Sequence, residues 1–162
     1  MRARAGALRS ARAAALGAAL ACGIGWLSAA APLRGEELLV IVHRERSERI
    51  DADDIAQIYL KQRRHWRDGN AIVPLNRESE SLVRAAFTRA VLALSPQQLS
   101  VHWNRQYFLG VLPPATLASD EAVKRFVARE RRAIGYIRAS TLDGSVRVAL
   151  RLSDSPSAPP RP

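Results

Sequence analysis

The most informative segment of the sequence is WNRQYFLGVLPPATLASDEAVKRFVARERRAIGYI, residues 103–137. It joins the end of an aromatic-rich helix to a Gly and double-Pro loop, a second helix and a short apolar strand. Ser119 is placed to cap that second helix, in which Val123, Phe126 and Val127 are expected to face inward. The stretch therefore predicts alternating helices and strands, and it contains no catalytic signature.

Caps, apolar runs and turn signals extend this pattern over the rest of the chain. Short apolar runs predict strands at 37–43, 71–75, 133–137 and 145–150, with the last two joined by a turn at 143–144. Asp51 and Ser95 are placed to cap helices that end near residues 60 and 108, and an apolar stripe predicts another helix between them. Strands separated by helices indicate an α/β fold in two or three layers, with a small sheet flanked by about four helices.

Aromatic side chains lie in two of these segments. Trp103 and Tyr107 recur at helical spacing, which predicts that they lie in the core or line a groove. Trp66 stands in a polar segment close to Gly69, which predicts partial exposure.

The first thirty residues predict a secretory signal peptide. Arginines near the start precede an uncharged run from Ala13 to Leu33, and the small residues at 28–30 favour cleavage before Ala31. The protein is then expected to be periplasmic or secreted. Two alternatives stay open: an uncleaved membrane anchor, since about 20 apolar residues span a bilayer, and lipid attachment at Cys22.

Cleavage before Ala31 leaves 132 of the 162 residues and removes Cys22, the only cysteine. A chain of that length suits one domain, expected at 36–151, and the Pro-rich residues 152–162 predict a disordered tail. The mature part has 21 basic and 15 acidic residues, a balance that favours anionic partners. Because export argues against nucleic acid, we expect no nucleic-acid partner.

Enzyme signatures are absent from the sequence. His43, His65 and His102 fit no HExxH or His-x-His spacing, so no metal site is predicted. No serine lies in a GxSxG elbow, and Asp53 with Asp54 fits a helix start better than an acid and base couple. We therefore expect no catalytic residues and no cofactor.

The segment PLNRESESLVRAAF, residues 74–87, is the candidate ligand-binding site. It places Arg77, Ser79 and Ser81 where a strand is expected to lead into a helix. Helix N-termini offer unpaired N–H groups, and the arginine fork matches the geometry of phosphate and carboxylate. A simpler interpretation stays open, in which a serine only caps the helix and the neighbouring glutamates repel a dianion.

Several segments resemble the phosphate ABC transporter substrate-binding family, in particular its short members. They are IAQIYLKQRRHWRDGNAIVPLNR at 55–77, WNRQYFLGVLPP at 103–114 and AIGYI at 133–137, in the order that is typical of that family. The resemblance implies a type 2 periplasmic-binding fold, here as a single compact lobe. It also implies a protein that binds phosphate or a similar small oxyanion and works with a membrane transporter.

The resemblance places Arg77 and Ser81 on the family's Arg-x-x-x-Ser oxyanion segment. Where the family usually has Gly-Ser-Gly-Thr, this chain has Glu80, Ser81, Leu82 and Val83, so two glycines and one hydroxyl are missing. Full-length members have two lobes, whereas this chain has the length of about one. An alternative function therefore stays open, that of an envelope protein-interaction module that keeps the fold and has lost the ligand.

Overall fold

A five-stranded mixed sheet lies at the centre of the protein, in a computed structural model that describes residues 37–152. Its order is β3-β2-β4-β1-β5, with β2 parallel to β3 and β4, and β1 antiparallel to β4 and β5. The strands are β1 (Leu38–His43), β2 (Val73–Arg77), β3 (Ala115–Leu117), β4 (Ala133–Arg138) and β5 (Val146–Leu152). Parallel pairing brings the carboxyl ends of β2, β3 and β4 to one edge of the sheet.

Four α-helices connect the strands within residues 37–152. They are α1 (Ala52–Tyr59), α2 (Leu82–Phe87), which continues as a π-helix over Thr88–Leu92, α3 (Pro96–Phe108) and α4 (Asp120–Arg129). A short 3₁₀ helix over Ala139–Thr141 follows β4. The predicted α/β class, with a small sheet and about four helices, is confirmed.

Helices cover both faces of the sheet, so the fold has three layers. Alternate side chains of β1 point to opposite faces. One face packs against α1 and α2 and holds Val40 and Val42, while the other packs against α4 and holds Leu39 and Ile41. The apolar run over the first five residues of β1 follows from this placement, because both of its faces are buried.

Gly135 sets the distance between α4 and the sheet. A Cβ atom at this position in β4 would overlap the side chain of Val123 in α4. The glycine therefore allows close packing of the helix, and it explains the small residue in AIGYI.

The three predicted helix caps are confirmed. Asp51 accepts a hydrogen bond from the Asp54 N–H at 2.8 Å, and Ser95 accepts one from the Gln98 N–H at 3.2 Å. Ser119 accepts from the Ala122 N–H at 3.1 Å. Each cap satisfies a backbone donor that the first helical turn leaves without an intrahelical partner.

Two strand predictions need correction. The segments at 133–137 and 145–150 do not form a hairpin, because β1 lies between β4 and β5 in the sheet. The second strand was expected at 71–75 and runs from Val73 to Arg77, so that Pro74 lies inside it. Pro74 is tolerated inside it because β3 pairs with β2 only from Leu75 onward, so the missing N–H faces no partner strand.

Three aromatic side chains are placed differently from the predictions. Trp66 is buried, with Arg46 stacked 4.3 Å above its ring centre and its Nε1–H donating to the Arg132 carbonyl at 3.0 Å. Tyr107 is exposed, so its helical spacing with Trp103 does not reflect a place in the core. Phe126 is also exposed, although Val123 and Val127 are fully buried as expected.

No helix within residues 37–152 is long and apolar enough to cross a membrane. The predicted signal peptide at 1–30 and Cys22 lie outside the described residues, as do residues 153–162 of the predicted tail. Leu152, with which that tail was expected to begin, is the last residue of β5 and pairs with Leu38.

Candidate oxyanion site

The carboxyl edge of the parallel strands gathers the charged side chains of the candidate site. β2 ends at Arg77 and β4 ends at Arg138, while β3 leads through Ser119 into α4, whose first residue is Asp120. In parallel sheets this edge is the usual place for ligand sites. The topology therefore brings Arg77, Asp120 and Arg138 to the same edge of the sheet.

The Arg77 guanidinium is held by protein groups from the β3–α4 connection. Its Nε donates to the Leu117 carbonyl at 3.2 Å, Nη2 donates to the Ala118 carbonyl at 2.9 Å, and Nη1 forms an ion pair with Asp120. The residue is 7% exposed. Burial lowers the pKa of Arg77, but the pKa of an arginine is ordinarily so high that the side chain stays charged at neutral pH.

Asp120 joins two arginines at the start of α4. Besides its ion pair with Arg77, its Oδ2 accepts hydrogen bonds from Arg138 Nε at 2.7 Å and from the Arg138 backbone N–H at 3.2 Å. Its carboxylate also lies in the first turn of the helix, where the dipole stabilises negative charge. Asp120 thus holds both guanidinium groups at the start of α4 and balances one of their two positive charges.

A polar network on the other side of Arg77 fixes its backbone. The Arg77 N–H donates to the Tyr136 hydroxyl at 3.2 Å, and Arg84 Nη1 donates to the Arg77 carbonyl at 3.0 Å. Tyr136 in turn donates to Asn76, and burial raises the pKa of Tyr136 to about 12, so the hydroxyl stays protonated. These contacts link four residues that are named the arginine cluster below: Arg77, Arg84, Asp120 and Arg138.

The two predicted serines lie in the turn that follows β2. Ser79 is exposed and Ser81 is half-buried. Ser81 occupies the N-cap position of α2, but its hydroxyl forms no capping hydrogen bond. The hydroxyl is therefore available to another partner, and no described hydrogen bond joins either serine side chain to the Arg77 guanidinium.

Three members of the cluster were missed by reasoning from sequence. Asp120 follows the cap residue Ser119, and its place there fits a simple helix-start charge. Arg138 directly follows AIGYI, which is the one signal that points to the carboxyl end of β4. Arg84 lies on α2 and shows no distinguishing pattern.

A second charged cleft of about 780 Å³ lies at the opposite end of the parallel strands. Its arginines are largely paired with carboxylates: Arg46 lies 3.3 Å from Asp68, and Arg132 lies 2.9 Å from Glu130. In the cleft each of these arginines has a carboxylate of its own, whereas Arg77 and Arg138 of the arginine cluster share the single carboxylate of Asp120. The cleft is therefore a weaker candidate for an external anion than the arginine cluster. No group of three or more His, Cys, Asp or Glu side chains in residues 37–152 is arranged to hold a metal ion.

No protein family and no curated protein matches the sequence. Solved structures do match the fold. The ABC-type phosphate transport receptor of Vibrio cholerae has a TM-score of 0.57 and 21% identity, over 68% of this chain and 44% of its own. A candidate phosphate ABC transporter substrate-binding protein from Clostridium perfringens, solved with bound phosphate, has a TM-score of 0.55 and 24% identity, over 68% and 43%.

PstS from Borrelia burgdorferi matches with a TM-score of 0.53 and 15% identity, over 72% of this chain and 46% of its own. Over the matched parts, the chain has the fold of these phosphate transport proteins. The predicted resemblance is therefore confirmed at the level of the fold. The chain spans less than half the length of each of the three structures.

Proposed function

We propose that the chain is an exported solute-binding protein of the phosphate-transport type, which binds phosphate or a similar small oxyanion without chemical turnover. The observation that carries the proposal is the arginine cluster at the carboxyl edge of the sheet, in a fold shared with phosphate-binding proteins. A membrane transporter is the partner that this function requires. No cofactor or nucleic acid takes part in it.

In this proposal Arg77, Ser79 and Ser81 form the ligand site. Arg77 supplies positive charge, which its contacts with Asp120 hold at a fixed position. Ser81 supplies a hydroxyl that caps no helix, and Ser79 supplies an exposed hydroxyl two residues earlier. Charge-assisted hydrogen bonds of this kind are the strong contacts in oxyanion sites.

Calorimetric titration with phosphate, sulfate and a small carboxylate tests the proposal. Phosphate at 100 times its dissociation constant should raise the free energy of unfolding by about 2.7 kcal/mol. Ser81→Ala should weaken binding and leave stability unchanged, because the hydroxyl makes no capping hydrogen bond. No heat and no thermal shift with any of the three anions would reject the proposal.

Arg77→Ala should weaken binding further, by tens of fold or more, as expected for a lost arginine–anion pair of about 2–5 kcal/mol. Because Arg77 is also paired with Asp120, circular dichroism must first show that the variant is folded. Arg129→Ala, an exposed arginine on α4, is the matched control and should bind phosphate as the parent protein does.

A second function is favoured by the internal partners of Arg77. Asp120 and two backbone carbonyls already contact the guanidinium, as in a site that no longer needs a ligand. The protein would then be an envelope interaction module that keeps the fold. Two results together would favour this function over anion binding: calorimetric titrations that show no heat with any of the anions, and one stoichiometric protein partner recovered from an envelope extract.

Export is part of both functions and is tested separately. The mature protein should begin at Ala31, which mass spectrometry of the intact chain measures. A mass that retains residues 1–30 would indicate the uncleaved anchor, and an added lipid mass at Cys22 would indicate the lipoprotein.

A further inference from the structure

The α3 helix presents apolar side chains to solvent. None of its 13 residues is buried. Leu99, Trp103 and Gln106 form a half-buried face, while Val101 and Phe108 lie on the opposite face and are 62% and 87% exposed. An amphipathic helix normally turns its apolar stripe to the core, so this arrangement indicates an external partner.

Exposed apolar residues are concentrated at this place. Residues 101–112 contain five of the seven large apolar side chains that are exposed in the described chain. Scattered exposed apolar residues are ordinary, but a contiguous group marks an interaction surface. The five are named the α3 tip: Val101, Tyr107, Phe108, Leu109 and Leu112.

The charged residues of the segment that carries the α3 tip have one sign. The sequence has no Asp or Glu from Ser81 to Ser119, although the whole chain contains 15. Arg105 lies on the exposed face of α3 between Val101 and Phe108. Lys61 and Arg64 line a cleft of about 610 Å³ together with Leu112 and other residues of the loop after α3.

This charge pattern favours one kind of partner for the α3 tip. A second copy of the chain would bring the same basic side chains against each other, and like charges at an interface are unfavourable. The partner must attract the basic groups and must also accept the apolar side chains. The anionic surface of a lipid bilayer does both. Aromatic and Leu residues with flanking Lys or Arg are the composition of segments that lie in the interface of a bilayer.

We propose that the α3 tip binds the surface of an anionic lipid bilayer. Phe108, Leu109 and Leu112 enter the boundary between headgroups and acyl chains, while Arg105, Lys61 and Arg64 contact lipid phosphates. Gly110 has a φ of 70°, which turns the chain sharply between Leu109 and Leu112 and keeps both near the helix end. This binding does not depend on the oxyanion site.

Vesicle sedimentation with the protein as recovered from cells tests the proposal. Equimolar phosphatidylglycerol and phosphatidylcholine vesicles should bind the protein, and pure phosphatidylcholine vesicles should bind it much less. High salt should reduce the binding, since it screens charge at the surface. The double variant Phe108→Ser with Leu109→Ser should lose about tenfold or more in affinity, because two apolar side chains no longer leave water.

Matched variants separate the α3 tip from the rest of the chain. Arg105→Gln should lower affinity by about fivefold, the effect of one basic residue near an anionic membrane. Arg129→Gln removes an exposed arginine on α4, and Leu82→Ser replaces an apolar residue that is 85% exposed on α2. Both controls should bind as the parent does. All variants share the same N-terminus, so its contribution cancels.

The variant Phe108→Trp reports whether the α3 tip itself enters the bilayer. Brominated acyl chains should quench its added fluorescence in phosphatidylglycerol vesicles, relative to the parent protein. Absence of that quenching, or equal binding by the Phe108→Ser with Leu109→Ser variant, would overturn the proposal. Weak vesicle binding together with a dimer that this double variant abolishes in sedimentation equilibrium would overturn it in favour of a second copy.

Discussion

The α3 and α4 helices begin alike and pack differently. Each starts after a serine whose hydroxyl accepts a hydrogen bond from a backbone N–H, and they have 13 and 10 residues. α4 buries Asp120, Val123, Lys124 and Val127 against the sheet, whereas α3 buries no residue.

The difference in burial between α3 and α4 arises from the surfaces that the two helices meet. Gly135 leaves room for Val123, and Arg77 offers a partner for Asp120, so the sheet is shaped to receive α4. α3 contacts the body through its half-buried face and through His102, whose Nε2 lies 3.2 Å from the Leu60 carbonyl. Helix formation is therefore decided locally, while burial depends on the surface that meets the helix.

Asp120→Ala should produce the largest effect of any change in α4. It removes the carboxylate and leaves the buried Arg77 guanidinium without its ion-pair partner. Breaking one side of a buried pair costs about 3–5 kcal/mol, which urea unfolding measures. Glu121→Ala is the control, since that carboxylate is 51% exposed and its pair with Lys124 contributes less than about 1 kcal/mol. Equal losses in both variants would contradict the role of Asp120.

Matched valine truncations compare the two helices directly. Val127 in α4 is fully buried, so Val127→Ala should lower the free energy of unfolding by about 2–3 kcal/mol through lost burial and a cavity. Val101 in α3 is 62% exposed, and Val101→Ala should change stability by no more than about 0.5 kcal/mol. A cost above about 1 kcal/mol for Val101→Ala would mean that α3 is packed in solution.

The serine caps of α3 and α4 should differ in their effect on stability. Ser119→Ala should reduce global stability by about 1 kcal/mol, because α4 unfolds together with the sheet. Ser95→Ala loses an equivalent hydrogen bond, but its effect should appear as local opening of α3. Hydrogen exchange of the α3 amides should then quicken by about fivefold while the urea midpoint changes little. Equal shifts of the midpoint would show that both helices belong to one cooperative unit.

Local signals allowed most of the fold to be predicted from the sequence. The caps at Asp51, Ser95 and Ser119 follow from short-range hydrogen bonds, and the apolar run of β1 follows from burial on both faces. The order of the strands could not be predicted from local signals, because β1 pairs with β4 and β5 across the whole length of the domain.

The candidate site was only partly predictable for the same reason. Arg77 stands out as the arginine at the end of an apolar strand, but Asp120 lies 43 positions later and only the fold brings it near. Trp66 is buried by Arg46 and by the Arg132 carbonyl, neither of which is near it in sequence. Such contacts leave no trace in a local pattern.

The smallest expected effect lies at the end of α4, where Glu130 accepts hydrogen bonds from Arg132. The Nε and Nη2 groups donate at 2.9 and 3.0 Å, and this pairing lowers the pKa of Glu130 from 4.5 to about 2. A depressed folded-state pKa gives stability above the unfolded value, which is lost as pH falls toward the folded value. Glu130→Gln should therefore cost less than about 1 kcal/mol at neutral pH, since the pair is partly exposed. Urea midpoints should show the difference closing between pH 4.5 and about 2, and a difference that stays constant over that range would rule out the ionised pair as its source.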